Sequence, residues 1–160
     1  MFVCLQETWL PNEESKEISK DFSDYEFLTT SSDMFTDPED VISQSGPVWH
    51  GTAIGWNKSI SKYITRLPVI SDRFCGVKYK HPSLSVPIIT YSAYLPTAGQ
   101  DDHFAEVLDM LKHDITQNMI ENAIVIIGSD SNVSNKSTNR RRRSMEHFLN
   151  EFPLNPVLKN

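Results

Sequence analysis

Two short stretches of this sequence bring together residues that could handle a phosphate. In Val125-Ile126-Ile127-Gly128-Ser129-Asp130-Ser131-Asn132 an apolar run meets a glycine, and an aspartate and an asparagine follow two apart. Residues two apart at an extended strand end share a side. A carboxylate and an amide would then project together from the rim of a sheet. The Asn132 amide can donate to an anionic oxygen, and the Asp130 carboxylate can manage a proton or a water. The same residue types also make turns, because Asp and Asn bond their own backbone.

The second stretch is Leu5-Gln6-Glu7-Thr8-Trp9, where another short apolar strand runs into a carboxylate. A hard cation such as Mg²⁺ needs few protein ligands, about one or two carboxylates, with water and phosphate oxygens completing its shell. Glu7 could serve as one of them, or it could be a solvated surface acid. Tyr94 ends an apolar strand just before Pro96. Its phenol could reach a rim pocket or simply pack as a core or rim aromatic. The run Arg140-Arg141-Arg142-Arg143 is the one strong positive patch. Arginines can pair phosphates bidentately. The alternative is a solvated helix start, although positive charge there opposes the helix dipole.

These side chains need elements to position them. Phe2-Val3-Cys4-Leu5 reads as a buried strand, and about residues 13–21 as a short helix. Tyr25 to Thr30 is strand-like, and Ser31 to Val48 is rich in Ser, Asp and Pro, as a long surface loop would be. Strands follow at Gly51–Trp56, Tyr63–Ile70, Phe74–Tyr79 and Val86–Tyr94. Pro68 makes the second of these an edge strand or breaks it. Phe74–Tyr79 alternates as a half-buried strand should. Phe104, Val107, Leu108, Leu111, Ile115 and Met119 recur at spacings of three and four, which predicts a helix over about residues 102–120 with Asp101 and Asp102 as caps. Ala123 to Ile127 reads as a central buried strand, Gly128 to Asn139 as a polar loop, and Arg140 to Glu151 as a helix with Met145, Phe148, Leu149 and Phe152 on its apolar face. No internal repeat interrupts this order, which argues for mixed α/β layers.

Composition narrows the function classes. A chain of 160 residues with 39% hydrophobic and 22% charged residues suits one globular domain, residues 1–160, and is not that of a disordered protein. The net charge of −6 excludes a bulk electrostatic grip on nucleic acid and leaves a local patch or a metal. No apolar run approaches the length that spans a bilayer, so no membrane partner is expected. The N-terminus has neither the basic region nor the apolar stretch of a signal peptide. Cys4 and Cys75 have no metal-type spacing and read as buried free thiols. An intracellular location, nuclear or cytoplasmic, follows from those two readings. Asn57-Lys58-Ser59 and Asn132-Val133-Ser134 match a glycosylation acceptor pattern and are read as coincidence.

Taken in order, Gln6-Glu7-Thr8, the strand after His50-Gly51-Thr52, Ala93-Tyr94-Leu95-Pro96 and Ile126-Ile127-Gly128-Ser129-Asp130-Ser131-Asn132 resemble the endonuclease/exonuclease/phosphatase family over about residues 2–134. That family includes DNase I-like nucleases, abasic-site repair endonucleases, endonuclease domains of non-LTR retrotransposons, inositol polyphosphate 5-phosphatases and neutral sphingomyelinases. Leu5-Gln6-Glu7-Thr8-Trp9-Leu10 and His50-Gly51-Thr52-Ala53-Ile54 look most like the retrotransposon type. The resemblance implies a DNase I-like fold, a two-sheet β-sandwich flanked by helices. It implies Mg²⁺, with Mn²⁺ a possible substitute, and a nucleic acid partner, DNA before RNA. Glu7 matches the family's metal ligand, and Tyr94 the tyrosine on the scissile phosphate. Asp130 matches the aspartate that positions or deprotonates the attacking water or protonates the leaving oxygen. Asn132 matches the asparagine that holds the phosphate. A phosphoinositide or sphingolipid substrate, or a non-catalytic remnant of the family, is the alternative.

The pattern has departures. Ser129 is inserted before Asp130, where the family has Gly-Asp. The family's Asn-bearing first strand and its later Asp-His pair are not found within these 160 residues, and His50, His81, His103, His113 and His147 offer no replacement. His103 and His113 fall on the long predicted helix, where a solvent-facing role is expected. The fold is therefore expected to be incomplete at both ends, with apolar edges left uncovered. The isolated chain is expected to be marginally stable or to aggregate. A cooperative thermal unfolding transition at high temperature would contradict that expectation.

Overall fold

The computed structural model describes residues 2–11, 14–35, 51–119, 122–134 and 139–152. The chain divides into two compact units, Met1–Tyr94 with Glu121–Asp130, and Leu95–Ile120 with Ser131–Asn160.

The first unit holds both sheets. β1 (Phe2–Gln6), β2 (Tyr25–Thr30) and β3 (Thr52–Asn57) form an antiparallel sheet in the order β1-β3-β2. A 3₁₀ turn at Glu14–Glu17 and the single-turn helix α1 (Ile18–Asp21) stand where the short helix is expected. The second sheet has the order β4 (Ile64–Arg66), β5 (Phe74–Tyr79), β6 (Ile88–Tyr94), β7 (Ile124–Asp130). Among the described strands only β6 and β7 run parallel, as strands separated by a long crossover can. The α/β, two-sheet class read from the sequence is the class observed.

Ile54 and Trp56 of β3 meet Cys75 and Val77 of β5 in the core between the sheets, with Phe2, Cys4 and Leu28 packed around them. Each such buried side chain stabilises the sandwich by about 1.5–3 kcal/mol. The indole Nε1 of Trp56 donates to Ser61 Oγ at 3.1 Å, so this large core residue leaves no polar group unsatisfied.

Several elements differ from their sequence reading. β4 stops at Arg66 instead of reaching Ile70, since Pro68 has no N–H to continue the ladder, whose last bond is Leu67 N–H to Gly76 O. It is the edge strand, as Pro68 predicts. β5 is not half-buried over its first four residues, because Cys75 and Val77 face the other sheet while Phe74 and Gly76 lie against Tyr91.

β7 is not central. Among the described strands it has β6 on one side only, and Ile124 and Ile126, on the same face as Gly128 but beyond the reach of β1, are 51% and 47% exposed. Its β-branched run has the composition of a strand covered on both faces, and the Ile124–Ile126 end of one face is uncovered among the described residues. β7 also continues through Gly128 to Asp130, so Gly128 is not a turn. A Cβ on Gly128 would stand 2.7 Å from the Cβ of Cys4, and the absence of a side chain is what lets β1 approach β7.

The second unit holds the two long helices, α2 (Asp101–Asn118) and α3 (Asn139–Glu151), which pack on each other. α2 buries Phe104, Val107, Leu108, Leu111 and Ile115, the stripe its periodicity predicts, and exposes His103 and His113. Asp101 and Asp102 do not cap it. Gln100 is the cap residue, without a side-chain bond, and the two acids sit in the first turn and pair with arginines of α3. Phe148 and Phe152 of α3 are buried, with ring centroids 5.5 Å apart. Of the expected loop at 31–48, a 3₁₀ turn occupies Ser32–Met34, and 36–48 lies outside the described residues. Among the described residues no helix is long and apolar enough to cross a membrane.

Both cysteines are free. Burial pushes the Cys75 thiol from 9.0 up to about 12, against a smaller opposing effect of the Thr52 hydroxyl at 3.6 Å, and burial raises Cys4 as well. The folded thiol keeps its proton where the unfolded thiol loses it. Its contribution to stability is therefore present below about pH 9 and is lost as pH rises through about 12. Native protein at pH 8 should leave Cys75 unmodified by a thiol-specific disulfide reagent until it unfolds. Rapid labelling of Cys75 in the folded chain would contradict this.

Candidate active site

The rim of the first unit is built by three strand ends brought into line. Gln6 is the last residue of β1, and its carboxamide Nε2 donates to Ser92 Oγ of β6 and to the Gly128 carbonyl of β7, both at 3.1 Å. Ser92 Oγ in turn donates to the Leu5 carbonyl at 3.0 Å, and Cys4 Sγ lies 3.6 Å from the Tyr91 carbonyl. The end of β1 is thereby held against the inner face of β6 and β7.

One pleat further along each of those strands stand the candidate residues. Tyr94 follows Ser92 by two and Asp130 follows Gly128 by two, so each shares the inner face with the residue that anchors Gln6. Tyr94 and Asp130 are register partners across the parallel ladder. Tyr94 is 4% exposed, and Asp130 is exposed at the end of β7. The inserted Ser129 is absorbed by the lengthened strand, which carries Asp130 beyond the glycine in extended register.

Glu7 is the residue immediately beyond Gln6. Its φ is +53°, a left-handed conformation that a side chain bearing a Cβ adopts only when neighbours hold it there. Gln6 is fixed on one side by the bonds above. On the other, Thr8 N–H donates to the Gly51 carbonyl at 3.2 Å. Gly51 has φ +100°, and a Cβ there would come 2.6 Å from Thr8 Oγ1, so this turn requires glycine. The exposed Glu7 carboxylate thus sits on a backbone pinned on both sides.

Arg73 supports Tyr94. Its carbonyl accepts the Tyr94 N–H at 2.8 Å, and its guanidinium lies 5.5 Å from the centre of the Tyr94 ring. Burial lowers the Arg73 pKa, with Asp72 opposing at a distance of 3.9 Å. A buried cation over the face of a tyrosine places positive charge beside a candidate phosphate contact.

Asn132 and the arginine run belong to the second unit. Asn132 does not continue the strand alternation from Asp130, because its φ is +48°. Its Nδ2 donates to the Leu95 carbonyl at 2.7 Å, which commits one amide N–H to the chain segment directly after Tyr94. Arg141 is 1% exposed and is no surface contact, which corrects its reading as a nucleic acid ligand. Its guanidinium is consumed by backbone carbonyls and by Asp101. Arg140 pairs with Asp102 at 2.7 Å on the surface, and Arg143 is exposed.

Among the described residues no three His, Cys, Asp or Glu side chains converge as a ready metal cage. The oxygen donors present suit a hard cation that takes about one or two carboxylates and fills its shell with water. Gln6, Ser92 and Arg73 carry little signal in the sequence. Gln6 lies inside the Gln-Glu-Thr stretch but does its work through a carboxamide directed at another sheet.

No family model matches the sequence, and no curated protein matches it. Solved structures match by shape. The endonuclease/exonuclease/phosphatase protein of Bacteroides vulgatus superposes with a TM-score of 0.60 at 10% identity, covering 91% of this chain and 56% of its own. Danio rerio TDP2, complexed with a single-strand DNA product, gives 0.53 at 18% identity, covering 90% and 51%. The endonuclease domain of TRAS1, a telomere-specific non-LTR retrotransposon, gives 0.53 at 14%, covering 85% and 56%. The chain has the DNase I-like fold of endonuclease/exonuclease/phosphatase proteins, and it spans about half the length of the structures it matches.

Removing one end of the bridge between sheets should be felt. Ser92→Ala deprives the Leu5 carbonyl and the Gln6 amide of a partner, and Gln6→Leu does the same to the Gly128 carbonyl. Each should lower stability by about 1–3 kcal/mol, read as a shifted urea midpoint at unchanged slope. Two variants within about 0.5 kcal/mol of wild type would contradict the bridge.

Proposed function

We propose that this chain carries part of the active site of a divalent-metal-dependent phosphodiester hydrolase, of endonuclease type, with DNA as substrate. The observation that carries the reading is the placement of Tyr94 and Asp130 opposite each other, one pleat beyond the residues that anchor Gln6, with Glu7 next in the chain.

On this reading Glu7 would hold Mg²⁺, or Mn²⁺ in its place. The bound cation would neutralise charge developing on the phosphate oxygens. Tyr94, kept in place by Arg73, donates its phenolic hydrogen to a non-bridging oxygen of the scissile phosphate. Asp130 orients the attacking water and accepts its proton as oxygen bonds to phosphorus. The opposite phosphorus–oxygen bond breaks in line, and the leaving oxygen takes a proton from solvent or from an acid. Asn132, by the family resemblance, is the residue proposed to hold the phosphate.

Nucleic acid is favoured over a lipid headgroup by Arg140, Arg142 and Arg143 on α3, near the end of β7 in the chain. The DNA product bound to one structural neighbour and the retrotransposon origin of another support the same choice. Two free thiols fit a nuclear or cytoplasmic compartment. The chain matches about half of its structural neighbours, and we propose that alone it cleaves weakly.

Nicking of supercoiled plasmid should require Mg²⁺ or Mn²⁺ and stop with a chelator. Asp130→Ala should slow it by about 100-fold or more, and Glu7→Gln should raise the metal concentration needed. Equal nicking by wild type and Asp130→Ala would remove Asp130 from the chemistry.

A further inference from the structure

We infer that Arg141 is a positioning residue, a clamp that ties the chain leaving β6 to the chain leaving β7 and so sets the Asn132 amide. The inference rests on the hydrolase reading only for the use to which Asn132 is put.

Arg141 lies on the first turn of α3 and is 1% exposed. Burying a guanidinium costs several kcal/mol unless its donors are met. Here the two terminal nitrogens are met by backbone. Nη1 donates to the Thr97 carbonyl at 2.6 Å, and Nη2 donates to the Pro96 carbonyl and, at 3.3 Å, to the Asn132 carbonyl. Asp101 supplies a counter-charge at 3.5 Å, and the Phe104 ring lies 4.2 Å below the guanidinium. Pro96 and Thr97 stand two and three residues after Tyr94, and Asn132 stands two after Asp130.

Two features separate a clamp from a helix anchor. A helix that needed only packing would be served as well by an apolar residue, since replacing buried ionic groups with well-packed hydrophobes is often neutral or stabilising. Moreover, the carbonyls chosen belong to the two chain segments that directly follow Tyr94 and Asp130. Asn132 adds its own bond, from Nδ2 to the Leu95 carbonyl, while held at φ +48°. A left-handed asparagine persists when its surroundings over-determine it, and Arg141 supplies the bond to its carbonyl. The planar fork explains why arginine is needed at this position of the run, whereas Arg140 and Arg143 are exposed. Lysine has the charge but not the fork.

The test compares Arg141→Met, which keeps the stem over Phe104 and loses the donors, with Arg141→Lys, which keeps the charge. Hydrogen exchange of the Asn132 side-chain amide, followed by NMR in the folded chain, should quicken about tenfold or more in the Met variant, and by less in the Lys variant, with the remaining folded-state signals retained. Unchanged Asn132 exchange in the Met variant would overturn the clamp. Should the Met variant fail to fold, the Lys variant carries the test, and wild-type exchange there would overturn it equally. With plasmid DNA as substrate, turnover should fall about tenfold while the apparent KM stays within about twofold. A wild type that cleaves nothing counts against the hydrolase reading and leaves the exchange measurement to decide the clamp.

Discussion

The carboxamide of Gln6 reaches from the end of one sheet to two strands of the other, and the candidate site follows from where it lands. Its two bonds, to Ser92 and to the Gly128 carbonyl, put the ends of β1, β6 and β7 at one level. Each contributes on the order of 1 kcal/mol, little beside the burial of Trp56 or Ile54. Their importance is directional. Burial is indifferent to a small slide of one sheet over another, and a pair of directed bonds is not. With the level set, strand alternation presents Tyr94 and Asp130 on the inner face, and the next residue beyond Gln6 is Glu7.

Close approach of the sheets depends on what is missing. Gly128 has no Cβ, and Cys4 occupies the space one would need. Ser92 is small enough to pass a hydroxyl between Gln6 and the Leu5 carbonyl. The left-handed Glu7 then depends on Gly51, whose bare α-carbon leaves room for the Thr8 hydroxyl. A carboxylate offered to a cation gains from such a frame, because a ligand whose backbone is already fixed loses less freedom on binding.

Much of this was legible in the sequence, and what was not has physical reasons. β6, the apolar stripe of α2 and the strand-to-carboxylate junctions at Glu7 and Asp130 show in residue type and period, since local propensity and tertiary packing agree there. The β7 run was misleading because β-branched residues on both faces suggest double cover, whereas the stretch of one face at Ile124 and Ile126 is bare among the described residues. Gly128 suggested a turn and instead admits a neighbour, a distinction that depends on Cys4, more than a hundred positions away in the chain. The arginine run read as one patch, yet helical geometry turns Arg141 inward while Arg140 and Arg143 stay exposed. Asp101 and Asp102 read as caps and serve as counter-charges to Arg141 and Arg140. The role of Gln6 could not be read locally, because its partners lie 86 and 122 residues further along.

The most direct test of the shared rim is paramagnetic broadening by Mn²⁺, a cation that favours carboxylate oxygens. Titrated at low concentration into the ¹⁵N-labelled chain, Mn²⁺ should first broaden the amides of Glu7 and Thr8 together with those of Leu95, Asp130 and Ser131. Joint loss of signals from these three separate segments is the predicted result. Broadening confined to other acidic positions, such as Glu14 and Glu17 or Asp101 and Asp102, would contradict the account.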